Sequence, residues 1–339
     1  MKKRILAILL AAVMVVAFTA ACNNGGGGDT GGTGDTGNTG NTGGTVDAGR
    51  QKGDEARGIF VTQSLTNASQ AFSAKEFERL MSDFNLVVSI AGGDVDDNIA
   101  SIERAIADKM DFIFINPNDI HAVIPALKRA KDAGIIVGLF SSQPPEDVSD
   151  YPYDFFAGSD DVKGGIQAGE FVSTQFPNGA TFVEVGGQAG HIAATSRHDG
   201  FRQGIAANII ELDSQFVPGP WVADEARGIM EDFLVMYDKI DIVWCHWDHG
   251  AGGVIEAAQA AGRLDEIFII GYDGNETGYA QVRDGLQALS VGQSFTNMAK
   301  KSLENARTML DGGTVEKLNW IPVDMVTIDT WNTFPWPEW

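Results

Sequence analysis

Cysteine, positive charge and long apolar runs are all scarce in this chain, and each shortage excludes something. Cys22 and Cys245 are the two cysteines in 339 residues, too few for a disulfide framework. Against 46 acidic residues stand 24 basic ones, a formal charge of −22. Such a surface has no basic face with which to displace the counterions of a nucleic acid, so no polyanionic partner is expected. The apolar stretch at residues 5–18 is too short to span a bilayer comfortably. Glycine-rich phosphate loops are missing as well. Gly186, Gly187 and Gly190 follow an apolar run, but their spacing does not meet G-x-G-x-x-G, and Glu211 has no supporting context as its acidic partner. A tight turn is the simpler reading, and no nucleotide cofactor is expected.

The amino terminus is informative. Lys2, Lys3 and Arg4 precede the apolar stretch, and Thr19, Ala20 and Ala21 place small residues before Cys22. This resembles a bacterial lipoprotein signal, with residues 1–21 as the signal peptide and Cys22 as the lipidation site. Thr19 stands where such signals usually carry leucine. Residues 22–54 are dominated by Gly, Thr, Asn and Asp, a composition that cannot offset its ordering entropy and is expected to act as a disordered tether. Loss of the signal leaves 46 acidic against 21 basic residues, or −25. Cys245 is then the lone free thiol, expected to be a small buried hydrophobe.

From residue 57 onward the pattern alternates between apolar runs and helical spacing, within a composition (44% hydrophobic, 21% charged) suited to a globular protein. Runs at 58–62, 86–90, 112–115 and 135–140 read as strands. Between them, Phe77, Leu80, Met81 and Phe84, then Ile99, Ile102 and Ile106, then Ile120, Val123, Ile124 and Leu127 fall at helical spacing. The rhythm restarts near Asp160: strands at 181–185, from 209, at 240–244, 267–270 and 286–291, with helices between. Strand and helix in alternation predict an α/β fold of two doubly wound parallel-sheet, Rossmann-like lobes. Asp273 and Gln293 fall where strands end, the edge at which open α/β sheets bind ligands.

Four motifs carry a family resemblance over residues 57–330. They are FIFINPNDIHAV at 112–123, FFAGSDDVKGGIQAGEF at 155–171, SRHDGF at 196–201 and FIIGYDG at 268–274. Together they resemble the type I periplasmic binding proteins, in the sugar-binding group with the ribose- and galactose-binding proteins. LacI-type repressors share the lobes, but a signal and tether stand here in place of a DNA-binding helix-turn-helix. The resemblance implies two lobes joined by a three-strand hinge, with crossings near Ser159 and Asp160, near Gln293 and Ser294, and near Ile321 and Pro322. The N-terminal lobe would then comprise 55–159 plus 294–321, and the C-terminal lobe 160–293 plus 322–339.

Carried over position by position, Asp273 and Gln293 match the family's ligand-binding Asp and Gln. Trp221 stands where a stacking aromatic is expected, and Trp247 where many members have a hydrogen-bonding Asn. Asn67 and Gln70 follow the first strand, near Ser64 and Thr66, and Asp160 lies at the first crossing. Ser141 and Ser142 replace the Asp-Arg pair of ribose-like members, and Thr195 replaces a further ligand-binding Arg. Arg197 matches the nearby structural arginine. Loss of two bidentate donors implies a site more aromatic and less cationic than the ribose type, suited to a neutral ligand. His246 and His249 lie in the CHWDH stretch at 245–249, without a second cluster to complete a tetrahedral site, so no metal is expected. The implied function is an extracytoplasmic lipoprotein that binds a neutral sugar or polyol for an ABC importer permease. It would carry no catalytic residue and perform no chemistry. Alternatives are a sensory protein that presents its ligand-bound form to a membrane receptor, or a binder of a nucleoside. A hydrolase using Asp160, Asp161 or Asp248 is disfavoured, because hinge and helix-cap roles account for those residues.

Overall fold

The structure, a computed structural model, describes residues 51–219, 221–337 and 339. The expected signal at 1–21, Cys22 and most of the expected tether lie outside the described residues. Among the described residues no helix is long and apolar enough to cross a membrane.

Two six-stranded sheets organise the chain. The first contains β1 (Ala56–Thr62), β2 (Leu86–Gly92), β3 (Phe112–Ile115), β4 (Ile136–Phe140), β5 (Phe155–Ser159) and β11 (Leu318–Ile321). Its order is β11-β5-β4-β3-β1-β2, and every neighbouring pair is parallel. The second holds β6 (Ala180–Gln188), β7 (Ile209–Val217), β8 (Ile242–Cys245), β9 (Phe268–Asp273), β10 (Leu289–Gly292) and β12 (Asp324–Thr327). Its order is β12-β10-β9-β8-β6-β7, with β12 antiparallel at the edge. In each sheet the chain reverses its strand order beside the first strand, between β1 and β3 and between β6 and β8. That reversal opens a crevice at the carboxyl ends.

Helices cover both faces, so central strands read as unbroken apolar runs. All four residues of FIFI in β3 and all five of β5 are buried. In the first lobe α1 (Ala68–Leu80) and α9 (Phe295–Leu310) cover a phenylalanine-rich face, where Phe77 stacks on Phe114 at 5.0 Å. Its other face packs on α2 (Val95–Ala107) and α3 (Ile124–Asp132). In the second lobe α6 (Ala223–Met236) and α7 (Asp248–Ala260) lie on one face. The other face, with Trp244 stacked on Phe201 at 5.1 Å, lies under α4 (Asp161–Gln175) and α5 (Ile192–Gly204). The remaining α-helix among the described residues, α8 (Glu276–Arg283), follows β9.

Several sequence expectations are corrected in detail. Met81 and Phe84 leave the α-helix for a short 3₁₀ turn, because Asn85 (φ 51°) takes the left-handed conformation that stops it. Ile120 and Val123 precede α3, which starts at Ile124 with a proline in its first turn. The strand from 209 extends nine residues to Val217, Ile240 lies outside β8, and Leu286 lies outside β10. Three strands were not expected as such: β5, β11 and β12. Edge strand β11 leaves Leu318 and Trp320 exposed, so its apolar pattern is too weak to read.

Helices α4 and α5 approach so closely that glycines form their contact. A Cβ on Gly204 would lie 2.1 Å from the Ile166 carbonyl oxygen. Gly204→Ala is therefore expected to lose about 1–3 kcal/mol through overpacking. Gly228 lies within α6, and a Cβ added there would have no neighbour inside 4 Å. Gly228→Ala should gain about 0.5–1 kcal/mol. Urea unfolding of the two variants checks both signs.

Candidate functional site

A cavity of about 440 Å³ lies between the two lobes, at the carboxyl ends of both sheets. Its first-lobe wall comes from the loop after β1 and the ends of β3 and β4. Asn67 caps α1, its Oδ1 accepting from the Ser69 amide at 3.0 Å. Behind it, Thr62 donates to Gln70 Oε1, Asn116 Nδ2 donates to the same oxygen at 3.0 Å, and Ser142 Oγ donates to Asn116 Oδ1 at 2.6 Å. This chain ties three strand ends together and fixes which way the amides face.

The second-lobe wall is built on Arg197. Its buried guanidinium donates through Nε to Asp161 Oδ1 at 2.8 Å and through Nη1 to the His246 carbonyl at 2.5 Å. It lies 3.5 Å from Asp273 and 3.7 Å from the Tyr272 ring centroid. Burial pushes the Asp161 carboxyl upward, and the charge of Arg197 pulls back against it. Asp273 is likewise raised by burial, to about 8, opposed by Arg197 and by the 2.9 Å hydrogen bond from Gln293 Nε2. Asp248, raised by burial to about 6, accepts from the Gly274 and Asn275 amides, Ser290 and Gln287, and so holds the loop after β9 in place.

Two indoles complete this wall. Trp221 and Trp247 meet edge to face, with centroids 5.5 Å apart. Each rests on a glycine: a Cβ on Gly187 would lie 2.1 Å from the Trp221 ring, and one on Gly250 2.4 Å from the Trp247 ring. Strained backbone gathers here too. Ser141 (φ 63°), Trp221 (φ 55°) and Asp273 (φ 120°) all line the cavity in conformations that L-residues rarely adopt.

The lobes also touch directly. His191 Nδ1 accepts from the Ala193 amide, which puts the neutral ring's proton on Nε2. That N–H lies 2.9 Å from the Gln63 side-chain amide of the first lobe, a contact that is a hydrogen bond with the amide's oxygen, not its nitrogen, toward the ring. Gln143 Nε2 donates to Ser196 Oγ at 3.3 Å. Burial first, and then the charge of Arg197, depress His191 to about 4.

Of the residues singled out in the sequence, Asn67, Gln70, Ser141, Trp221, Trp247, Asp273 and Gln293 line this cavity. Three others do not. Ser142 is buried behind Asn116. Thr195 lies on α5, with its hydroxyl against the His191 carbonyl. Asp160 caps α4 and borders a separate cavity at the hinge, beside Trp320 and Pro322. Sequence reasoning missed Gln63, Asn116, His191, Phe295 and Trp339, and gave Arg197 a structural role alone, although it also faces the cavity. Asn116 had a signal, the Asn-Pro after an apolar run; Trp339 had none. His246 is wholly buried and bonds Glu184 at 2.7 Å, whereas His249 lines the cavity and meets Asn275 at 3.0 Å. Their partners thus lie in different directions, and among the described residues no group of three His, Cys, Asp or Glu is placed to hold a metal. The Cys245 thiol is buried, and burial pushes it up, away from the thiolate.

Residues 58–314 match the family described as periplasmic binding protein domain. A ribose import binding protein of Escherichia coli is 31% identical over 254 residues, covering 74% of this chain and 81% of that protein. A fructose import binding protein of Bifidobacterium longum is 27% identical over 323 residues, 93% of this chain and 91% of the relative. Among solved structures, an ABC transporter periplasmic solute binding protein from Actinobacillus succinogenes with bound D-allose superposes with a TM-score of 0.77. It is 18% identical and covers 83% of this chain and 100% of its own, a likeness of fold.

Arg197→Met would leave Asp161 and Asp273 buried without their cation, and is expected to lose about 3–5 kcal/mol in urea unfolding. His191 gives a pH signature. Its unfolded value lies near 6.5 and its folded value near 4, so between these the unfolded chain takes up a proton that the folded one refuses. The stability it contributes is full above pH 6.5 and is lost as pH falls toward 4. Relative to His191→Gln, the wild-type chain should lose about 2 kcal/mol between pH 7 and pH 5. Parallel denaturation curves at the two pH values check this.

Proposed function

The chain belongs to the periplasmic binding protein domain family, and on that premise we propose that it binds a neutral sugar or polyol between its lobes and delivers it to an ABC importer. The observation that carries the reading is the cavity's pairing of chemistries. Two indoles offer flat apolar faces for sugar C–H surfaces, beside Asp273, Gln293, Asn67, Gln70 and Asn116, which offer planar hydrogen-bonding groups for hydroxyls. The relatives named for ribose and fructose import support the same ligand class.

Electrostatics favour an uncharged ligand. Among the described residues Arg197 is the one arginine on the wall, and its Nε and Nη1 already serve Asp161 and the His246 carbonyl. A phosphate or carboxylate placed against it would have to compete with that paired carboxylate. Ser141 and Ser142 supply no cation on the opposite side. Trp247 Nε1 is buried without a partner among the described residues, and is a donor that a ligand oxygen could satisfy once the lobes part. Binding would proceed by hinge closure about the three crossings, a mode known for periplasmic binding proteins as a class. The reading extends to the amino terminus: residues 1–21 act as a lipoprotein signal, and lipidated Cys22 anchors the protein outside the cytoplasm beside its permease.

Thermal-shift screening of sugars, polyols, nucleosides and sugar phosphates tests this. A tight neutral ligand at a thousandfold excess over its dissociation constant should add about 4 kcal/mol of stability. Trp221→Ala and Asp273→Ala should each abolish the shift while the ligand-free chain still unfolds cooperatively. A shift given by sugar phosphates alone, or one that survives both substitutions, contradicts the reading.

A further inference from the structure

We propose that residues 328–337 and Trp339 form a strap across one end of the cavity, and that the Trp339 indole contacts the ligand and sets the length of sugar accepted. The proposal rests on the sugar-binding reading and adds to it a residue that neither the fold class nor the strand-end positions point to.

The strap begins on the second lobe, directly after β12. Trp331 and Phe334 pack against the small cluster of Tyr279, Val282 and Val326. Trp336 lies edge to face on Tyr279 at 5.8 Å, with the Arg283 guanidinium 5.6 Å from its ring. These contacts fix the strap along α8. The Glu276 amide, at the first residue of that helix, then donates to the Trp339 carbonyl oxygen at 2.6 Å.

From this point the indole turns away from the second lobe. It stacks on Phe72 of α1, with centroids 6.0 Å apart and planes 22° apart, and meets the edge of Phe295 at the start of α9 at 4.8 Å. Both partners belong to the first lobe's phenylalanine-rich side. A segment whose preceding strand pairs in one sheet thus ends on the core of the other. It links the lobes in addition to the three crossings and the two side-chain contacts, beside Phe295, which follows the Gln293 and Ser294 crossing.

Trp339 is half-buried and lines the cavity. Part of the ring is packed on Phe72 and Phe295, and part faces the same space as Asn67 and Trp221. A flat indole with one side packed and another open to the site is suited to a sugar's C–H face. Its position adds a steric role. Trp221 and Trp247 line the second lobe's wall and Trp339 lines the strap, so a second ring linked on the side of Trp339 would meet the strap.

Calorimetry on the full chain tests this, using the tightest monosaccharide from the sugar panel and a disaccharide that contains it. Trp339→Ala is expected to weaken the monosaccharide at least tenfold and to shrink the preference for it over the disaccharide. Trp339→Phe keeps the packing on Phe72 with a smaller ring, and should show the same two changes at about threefold. It serves as the deciding variant if thermal unfolding shows that the alanine chain does not fold. A variant that keeps either the wild-type affinity or the wild-type preference overturns the proposal. A wild-type chain that binds no sugar overturns the sugar reading and this inference with it. A wild type that binds sugar while both variants match it overturns this inference alone.

Discussion

The structure depends on one buried cation. Arg197 is held by Asp161 at the start of α4, Asp273 at the end of β9, the His246 carbonyl after β8 and the ring of Tyr272. A guanidinium removed from water is tolerated only where its donors are matched and its charge is answered. Those conditions fix four segments relative to one another. The glycine contact between α4 and α5 brings Arg197 within reach of Asp161. Asp273 accepts its strained φ of 120° under the same constraint. The second lobe's wall is therefore organised before any ligand arrives.

The contacts between the lobes are of a different kind. Gln63 with His191 and Gln143 with Ser196 are pairings of neutral groups, each worth about 1 kcal/mol net. Trp339 adds aromatic packing on Phe72 and Phe295. A rigid wall faced by weak closing contacts is the arrangement in which a small bound molecule can decide the balance between open and closed forms. The indoles of the second lobe belong to the rigid side. Gly187 and Gly250 give them flat seats, so their orientation is set by backbone rather than by flexible side chains.

Much of the fold was legible because buried parallel strands carry their own signature. FIFI of β3 and FII of β9 are apolar without interruption, and each ends at a polar residue on the ligand edge. That is why Asp273 and Gln293 could be placed at strand ends from sequence, whereas Asn116, at the end of β3, was not read as a site residue. Edge strand β11 is half exposed and lacks that signature. The site was harder to read, because a position in the chain does not say which loops converge. Ser142 and Thr195 stand beside cavity residues, yet their side chains turn to Asn116 and to the His191 carbonyl. Arg197 was legible as a structural residue; its second face became visible only when Trp221 folded to within 5.5 Å of it. Trp339 is brought in by a strap whose course no periodicity encodes.

The central claim is that a prebuilt second-lobe wall meets a first lobe held only by weak neutral contacts, so that ligand sets the closed state. Solution X-ray scattering with and without the tightest sugar measures this directly. The account predicts a larger radius of gyration in the free chain and a contraction when sugar is added. An identical compact profile in both conditions would contradict it, because the direct contacts between the lobes would then suffice for closure.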